Sequence, residues 1–84
     1  MISVKQINGE PIIVNAAMIE FIESTPDTLL CFVSGRKMMV RDSIDEVLEK
    51  IITYFKRIGH PVAVVPHSGQ LLEIVDGHPV TEKG

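Results

Sequence analysis

The chain has 84 residues, of which 45% are apolar and 23% charged, and its formal net charge is −3. That length allows one domain, and the composition is typical of a folded protein rather than a disordered one. No basic stripe is visible, which disfavours nucleic-acid binding and attachment to a membrane surface through a polybasic patch.

The start of the chain and its cysteine content bear on the compartment. Residues 1–5 show no positively charged region followed by an apolar one, so we expect no signal peptide. Cys31 is the only cysteine, which excludes an internal disulfide and a CxxC pattern. No apolar stretch approaches the ~18 residues of a membrane span. We therefore expect a cytoplasmic protein without direct membrane insertion.

Alternating apolar residues predict a first β-hairpin. The first strand covers residues 2–7, and the return strand covers residues 11–14. Asn8 and Gly9 both tolerate positive φ, so this pair favours a tight type I′ turn. Pro11 lacks a backbone donor and should lie at the start of its strand or on an edge.

Three more strands are predicted, over residues 18–24, 28–33 and 37–41. Residues 15–17 interrupt the pattern as either a single helical turn or a bend. Pro26 and Asp27 indicate a turn, because proline presets φ and the aspartate can bond nearby backbone. Gly35 indicates the next turn.

The clearest signal is an amphipathic helix. Ser43 and Glu46 fit a capping box, and Gly59 ends the helical pattern. Tyr54 lies at the edge of the apolar stripe, as a boundary residue or an interface anchor. The stripe consists of Ile44, Val47, Leu48, Ile51, Ile52, Phe55 and Ile58.

The last 25 residues change character, with few charges and several prolines. Two apolar pieces, residues 62–65 and 71–75, predict a further hairpin that turns at Ser68 and Gly69. Residues 81–84 are expected to fray. The fold class is therefore α+β: a small antiparallel β-meander of about five strands, a C-terminal amphipathic helix, and an additional short hairpin or extended tail. We divide the chain into a sheet-plus-helix module, residues 1–59, and a tail, residues 60–84.

The predicted sheet is apolar on both faces. Met38 and Met39 are successive residues of one strand and cannot both face the same core. A single helix covers one face only, so the other needs the tail, a second copy of the chain or another protein. Both the tail and self-association stay open, and Ile13, Met39 and Tyr54 are candidate interface residues.

No constellation of residues predicts catalysis or a cofactor. His60, His67 and His78 lie beside prolines at spacings unlike those of structural zinc sites, which favours exposed loop histidines over a metal site that they could form by converging in space. Cys31 lies in an apolar strand and is interpreted as a buried small side chain rather than a nucleophile.

Two carboxylates, Glu20 and Glu23, could in principle pair for acid–base chemistry. They should point to opposite faces of a regular strand, so we interpret them as surface charges. We propose no catalytic, cofactor-binding or metal-binding residue and expect a protein that is not an enzyme.

A set of short motifs occurs in a fixed order over residues 1–58. The motifs are Ile7-Asn8-Gly9, Asn15, Met18-Ile19-Glu20, Ile22-Glu23, Thr25-Pro26-Asp27-Thr28, Ser34-Gly35-Arg36-Lys37, Val40 and Ser43. This ordered set resembles the FlbD/SwrD family of flagellar accessory proteins. The family usually has Asn-Gly-Lys-Lys at the turn before the fifth strand, where this chain has Ser-Gly-Arg-Lys. The tail has no counterpart in the family.

The resemblance implies a non-enzymatic cytoplasmic protein, located at the inner face of the membrane near the flagellar motor. It further implies support of motility and swarming through contact with ion-driven stator units of the MotA/MotB type. The alternative is a self-assembling homo-oligomeric module with only an indirect motility role.

Overall fold

The computed structural model describes residues 1–24, 27–67 and 71–76. It confirms the α+β class, but the helix lies in the middle of the chain and is not C-terminal. Residues 15–17 resolve into a short 3-10 turn, Ala16–Met18, capped by Asn15. The elements are β1 (Ile2–Lys5), β2 (Pro11–Val14), β3 (Ile19–Glu23), β4 (Thr28–Phe32), β5 (Lys37–Val40), α1 (Ile44–Ile58), β6 (Val62–Pro66) and β7 (Leu71–Asp76).

The strands form two antiparallel sheets rather than one continuous meander. β1 and β2 make a two-stranded ribbon, and the other five strands are ordered β5-β4-β3-β7-β6. The tail hairpin therefore joins the sheet beside β3, where Ile22 is paired with Leu30 on one side and Leu72 on the other. Its described strands extend the sheet sideways and do not lie over a face. The predicted turn at residues 68–69 lies outside the described residues, as do residues 25–26 and 81–84.

The Asn8-Gly9 turn differs from the predicted type I′ turn. Gly9 N–H donates to Gln6 O at 2.8 Å, and Gln6 N–H donates to Glu10 O at 2.9 Å. A type I′ turn centred on Asn8 and Gly9 would instead close between Ile7 and Glu10. Here Asn8 Oδ1 accepts from Glu10 N–H at 2.9 Å, and Gly9 occupies the bulge position with φ of 90°.

The hairpin between β4 and β5 repeats this design. Gly35 N–H donates to Phe32 O and Phe32 N–H donates to Arg36 O, both at 2.9 Å. Gly35 has φ of 93°, a conformation that side chains with a Cβ rarely adopt. The two turns thus depend on glycine at the same point of the loop.

Helix α1 has both predicted ends. Ser43 Oγ accepts from Glu46 N–H while the Glu46 carboxylate accepts from Ser43 N–H, and Gly59 closes the C-terminus with φ of 72°. The buried sector is narrower than the predicted stripe, because Ile52 is 36% and Ile58 is 53% exposed. The helix meets the core through Val47, Ile51 and Phe55, with Ile44, Leu48 and Tyr54 packed at the margins.

One buried carboxylate joins three parts of the fold. Asp42, whose side chain is 7% exposed, accepts from Lys50 Nζ and from Lys5 N–H, each at 2.7 Å. The same Lys50 ammonium donates to Ser3 O at 2.7 Å, and Arg41 N–H donates to Lys5 O at 2.8 Å. These bonds hold the ribbon against the end of β5 and against the helix.

Candidate functional site

The five-stranded sheet has one face toward the helix and one that we call the outer face. Residues paired directly across antiparallel strands share a face. Glu23 is paired with Leu29 and Leu71, and Leu29 with Met39, so one row crosses four strands. A second row consists of Lys37, Cys31, Phe21, Glu73 and Val65. The outer face is defined by these two rows.

The side chains of the outer face are incompletely covered. Met39 is 45% and Val65 is 39% exposed, while Phe21, Leu29 and Leu71 are half-buried. Helix α1 packs against the opposite face, where Ile22 and Leu30 are fully buried. Within the described part of the chain, the sheet is thus apolar front and back, as the strand patterns predicted, and only one face is closed.

Met38 and Met39 lie on opposite faces of the sheet, as the alternation of side chains along a strand requires. Met38 is half-buried and packs against the core, whereas Met39 lies on the outer face. Ile13 does not accompany Met39. It lies on the ribbon, 63% exposed, and belongs to a different surface. The prediction that Ile13 and Met39 lie on the same face of one sheet is therefore wrong, because β2 belongs to the two-stranded ribbon with β1 and not to the larger sheet.

On and beside the outer face, His67 and Cys31 each lie next to a carboxylate. His67 Nε2 lies 2.8 Å from Glu73 Oε1, and the His67 ring packs beside Phe21 with centroids 6.0 Å apart. Cys31 Sγ lies 3.9 Å from Glu23 Oε2. These contacts place a histidine and a thiol next to carboxylates.

The environment of Cys31 argues against nucleophilic chemistry. Burial raises the pKa of the Cys31 thiol, and the Glu23 and Glu20 carboxylates raise that pKa further, outweighing the opposing effect of Lys37. The thiol is half-buried rather than fully buried, as expected for a residue on an incompletely covered face. Since the thiolate is the reactive form, a raised pKa lowers the reactive fraction of Cys31 near neutral pH.

The expectation that Glu20 and Glu23 point to opposite faces assumed a regular strand, and β3 is not regular. The register with β4 shifts between Ile19 and Phe21, which leaves Glu20 as the extra residue of a bulge. Both carboxylates consequently act on Cys31. A bulge has no reliable signal in a single sequence, so this arrangement was not predictable.

A second surface is a groove beside β2, with a volume of about 540 Å³. Its apolar lining comes from the ribbon and from the core-side residues of β4 and β5, with polar groups at the rim. The lining includes Ile12, Val14, Met18, Phe32 and Met38, and the rim carries Ser34, Arg36 and Lys37.

Among the described residues, the others singled out from the sequence form no shared site. His60 packs on Phe55 with ring centroids 5.6 Å apart, His67 lies at the other end of β6, and His78 lies outside the described residues. No group of three or more metal-binding side chains occurs in residues 1–24, 27–67 and 71–76. Tyr54 is half-buried with its ring edge-on to Phe55 at 5.2 Å, which fits a boundary residue.

A family model for FlbD, described as flagellar and swarming motility proteins, matches residues 1–59. This chain belongs to the FlbD family. The match runs from β1 to the end of α1, so the FlbD region supplies three strands of the larger sheet and the tail supplies the other two. The chain is therefore a flagellar or swarming motility-related protein.

Comparisons with curated proteins and with solved structures give no significant match. In the described part of this FlbD-family chain, no helix is long and apolar enough to cross a bilayer. The outer face combines residues of the FlbD region with Val65, Leu71 and Glu73 of the tail. The tail residues were not among the predicted interface residues, because nothing in the sequence indicated that β7 pairs with β3.

Proposed function

We propose that this FlbD-family protein is a non-enzymatic cytoplasmic factor that raises the torque of flagellar stator units of the MotA/MotB type by direct contact. It would act at the inner face of the membrane near the motor. Family membership supports the motility role, and the open outer face supports action through a protein contact.

The outer face is the observation that carries this proposal. Apolar side chains that span four neighbouring strands remain accessible, and contiguous apolar surface on a small protein usually marks an interaction site. Glu23 and Glu73 lie among them, against a single cation, Lys37. A complementary partner surface would be apolar and basic.

The experiment compares two glutamate substitutions in cells whose chromosomal copy is deleted. Met39→Glu places a charge on the outer face, at the edge strand β5, whereas Val33→Glu places one on an exposed hairpin turn. We expect tethered-cell torque and swarming to fall to the deletion level with Met39→Glu and to stay normal with Val33→Glu. Both side chains are at least 45% exposed, so both variants should fold.

A photo-crosslinking amino acid at position 39 then identifies the neighbour. Capture of a stator subunit supports the proposal. Normal torque in the deletion strain, or normal torque with Met39→Glu at wild-type protein levels, would reject it.

A second candidate function is a self-assembling module, and the open edge of β6 favours it. His67 N–H donates to Leu71 O at 2.8 Å, so His67 and Leu71 form a hydrogen-bonded pair. Because such pairs alternate along an antiparallel ladder, the backbone N–H and C=O groups of Val62 and Val64 point away from β7. No residue of β6 is charged, although charges commonly protect such edges. Sedimentation of the full chain tests this candidate, and a monomer at every accessible concentration would exclude it.

A further inference from the structure

The groove beside β2 has the features of a site for an extended peptide, which goes beyond the proposed function and does not depend on the outer face. Its first feature is an open strand edge. Gln6 N–H donates to Glu10 O, so Gln6 and Glu10 form a hydrogen-bonded pair. Hydrogen-bonded pairs alternate with pairs that are not hydrogen-bonded along an antiparallel ribbon. The next hydrogen-bonded pairs are therefore Val4–Ile12 and Ile2–Val14.

The other pairs of the ribbon direct their backbone groups outward. On β1 this is visible directly, because Lys5 N–H donates to Asp42 and Lys5 O accepts from Arg41 N–H. On β2 the corresponding outward groups are the N–H and C=O of Ile13 and the C=O of Pro11. Within the described residues they have no hydrogen-bond partner, so this edge can accept another strand.

The second feature is an apolar floor next to that edge. Ile12, Phe32 and Met38 are half-buried, pack against the core and line the groove. Met18, which is 46% exposed, adds a flexible side chain that can adapt to an incoming one. An added strand would direct alternate side chains onto this floor.

The third feature is charge, which decides the kind of occupant. Arg36 lines the groove, and no carboxylate is among the described lining residues, although the whole chain has a net charge of −3. Lys37 also borders the groove, but its pairing with Cys31 places its side chain on the outer face. In residues 1–24, 27–67 and 71–76, Arg36 has no ion-pair partner within 4 Å. A symmetric pairing of two β2 edges would bring the two Arg36 side chains together, which disfavours a second copy.

We propose that the β2 groove binds an extended segment of another protein in which apolar residues alternate with acidic ones. The segment adds a strand to β2 through Ile13, places its apolar side chains on the floor of the groove, and pairs a carboxylate with Arg36.

The test uses the full chain and two short fluorescent peptides, one alternating isoleucine with glutamate and the other alternating isoleucine with lysine. Fluorescence anisotropy should give a dissociation constant at least about tenfold lower for the glutamate peptide. The variant Arg36→Glu should abolish that preference. The control Arg57→Glu makes the same change in net charge on the exposed end of α1 and should leave the preference unchanged.

A third peptide separates strand addition from simple charge attraction. N-methylation of alternate residues of the glutamate peptide removes its ladder donors and should weaken binding about tenfold or more. Equal affinity for the glutamate and lysine peptides, insensitivity to Arg36→Glu, or unchanged binding after N-methylation would each overturn the proposal. So would self-association of the chain that Arg36→Glu abolishes and Arg57→Glu does not, since the occupant would then be a second copy.

Discussion

Lys50 on the helix lies with its Nζ 2.7 Å from Oδ2 of Asp42, eight residues earlier in the chain. Burial alone would raise the pKa of Asp42. The hydrogen bonds from Lys50 and from Lys5 N–H, together with the Lys50 charge, more than offset that effect and lower the pKa below its ordinary value. The pair therefore stabilises the fold in its ionised form.

Asp42→Asn should destabilise the protein at pH 7 by about 1–2 kcal/mol, because a charge-assisted bond is lost while Lys50 stays partly solvated. Since the folded pKa is lowered, the contribution of Asp42 is fully present above the unfolded pKa of about 3.9 and is lost as the pH falls through the folded pKa. The difference in unfolding free energy between wild type and Asp42→Asn should thus shrink below about pH 4. Urea titrations from pH 7 to pH 3 measure it.

The matched control is Glu49→Gln, which removes an exposed carboxylate from the same helix. Its unfolding free energy should stay within about 0.5 kcal/mol of wild type. A difference for Asp42→Asn that stays constant down to pH 3 would contradict the ionised pair.

Two adjacent leucines of β4 should respond differently to truncation. Leu30 is fully buried on the helix side, so Leu30→Ala should cost about 3 kcal/mol through lost burial and a residual cavity. Leu29 is half-buried on the outer face, and Leu29→Ala should cost about 1 kcal/mol. Equal losses in urea unfolding would mean that the outer face is covered as well as the inner one.

The two bulge glycines offer a second matched pair. Gly35→Ala should cost about 1–2 kcal/mol, because its φ of 93° is strained for a residue with a Cβ even though the space around it is open. Gly9→Ala would also bring its Cβ to 3.0 Å from Arg41 Nη1. That atom ends a flexible side chain, so we expect the two variants to unfold within about 0.5 kcal/mol of each other. A much larger loss for Gly9→Ala would show that Arg41 is held in place.

Cys31 should react slowly with iodoacetamide at pH 7 in the folded protein, and faster as the pH is raised. Glu23→Gln removes a charge that raises the thiol pKa, so alkylation at a fixed pH should become faster. Glu73→Gln removes another outer-face carboxylate, one that has no such effect on Cys31, and should leave the rate near that of wild type. A folded rate equal to that of a denatured sample would contradict the raised pKa.

The sequence predicted those features that depend on neighbouring residues. The capping box at Ser43, the turn glycines and the apolar stripe of α1 are signals of a few residues each, and the element bounds fall within a few residues of those observed. The doubly apolar sheet was also predictable, because successive residues of a strand necessarily face opposite sides.

The features that the sequence did not predict depend on contacts between distant parts of the chain. In the sequence, Asp42 and Lys50 look like ordinary surface charges. Only the fold shows that β1 lies beside them and bonds to both. The departure of β2 from the meander, which separates Ile13 from Met39, and the pairing of β7 with β3 are choices among alternative strand neighbours. A single sequence carries no information that decides between those alternatives.

The position of the tail hairpin has a consequence for the whole family. In this chain, β3 is the middle strand of the larger sheet only because β7 occupies the side that β4 leaves free. A relative built from the FlbD region alone would present that side of β3 as a vacant backbone ladder. The backbone groups along that side would then be left to water or to a strand of another chain, whereas this protein supplies the strand itself.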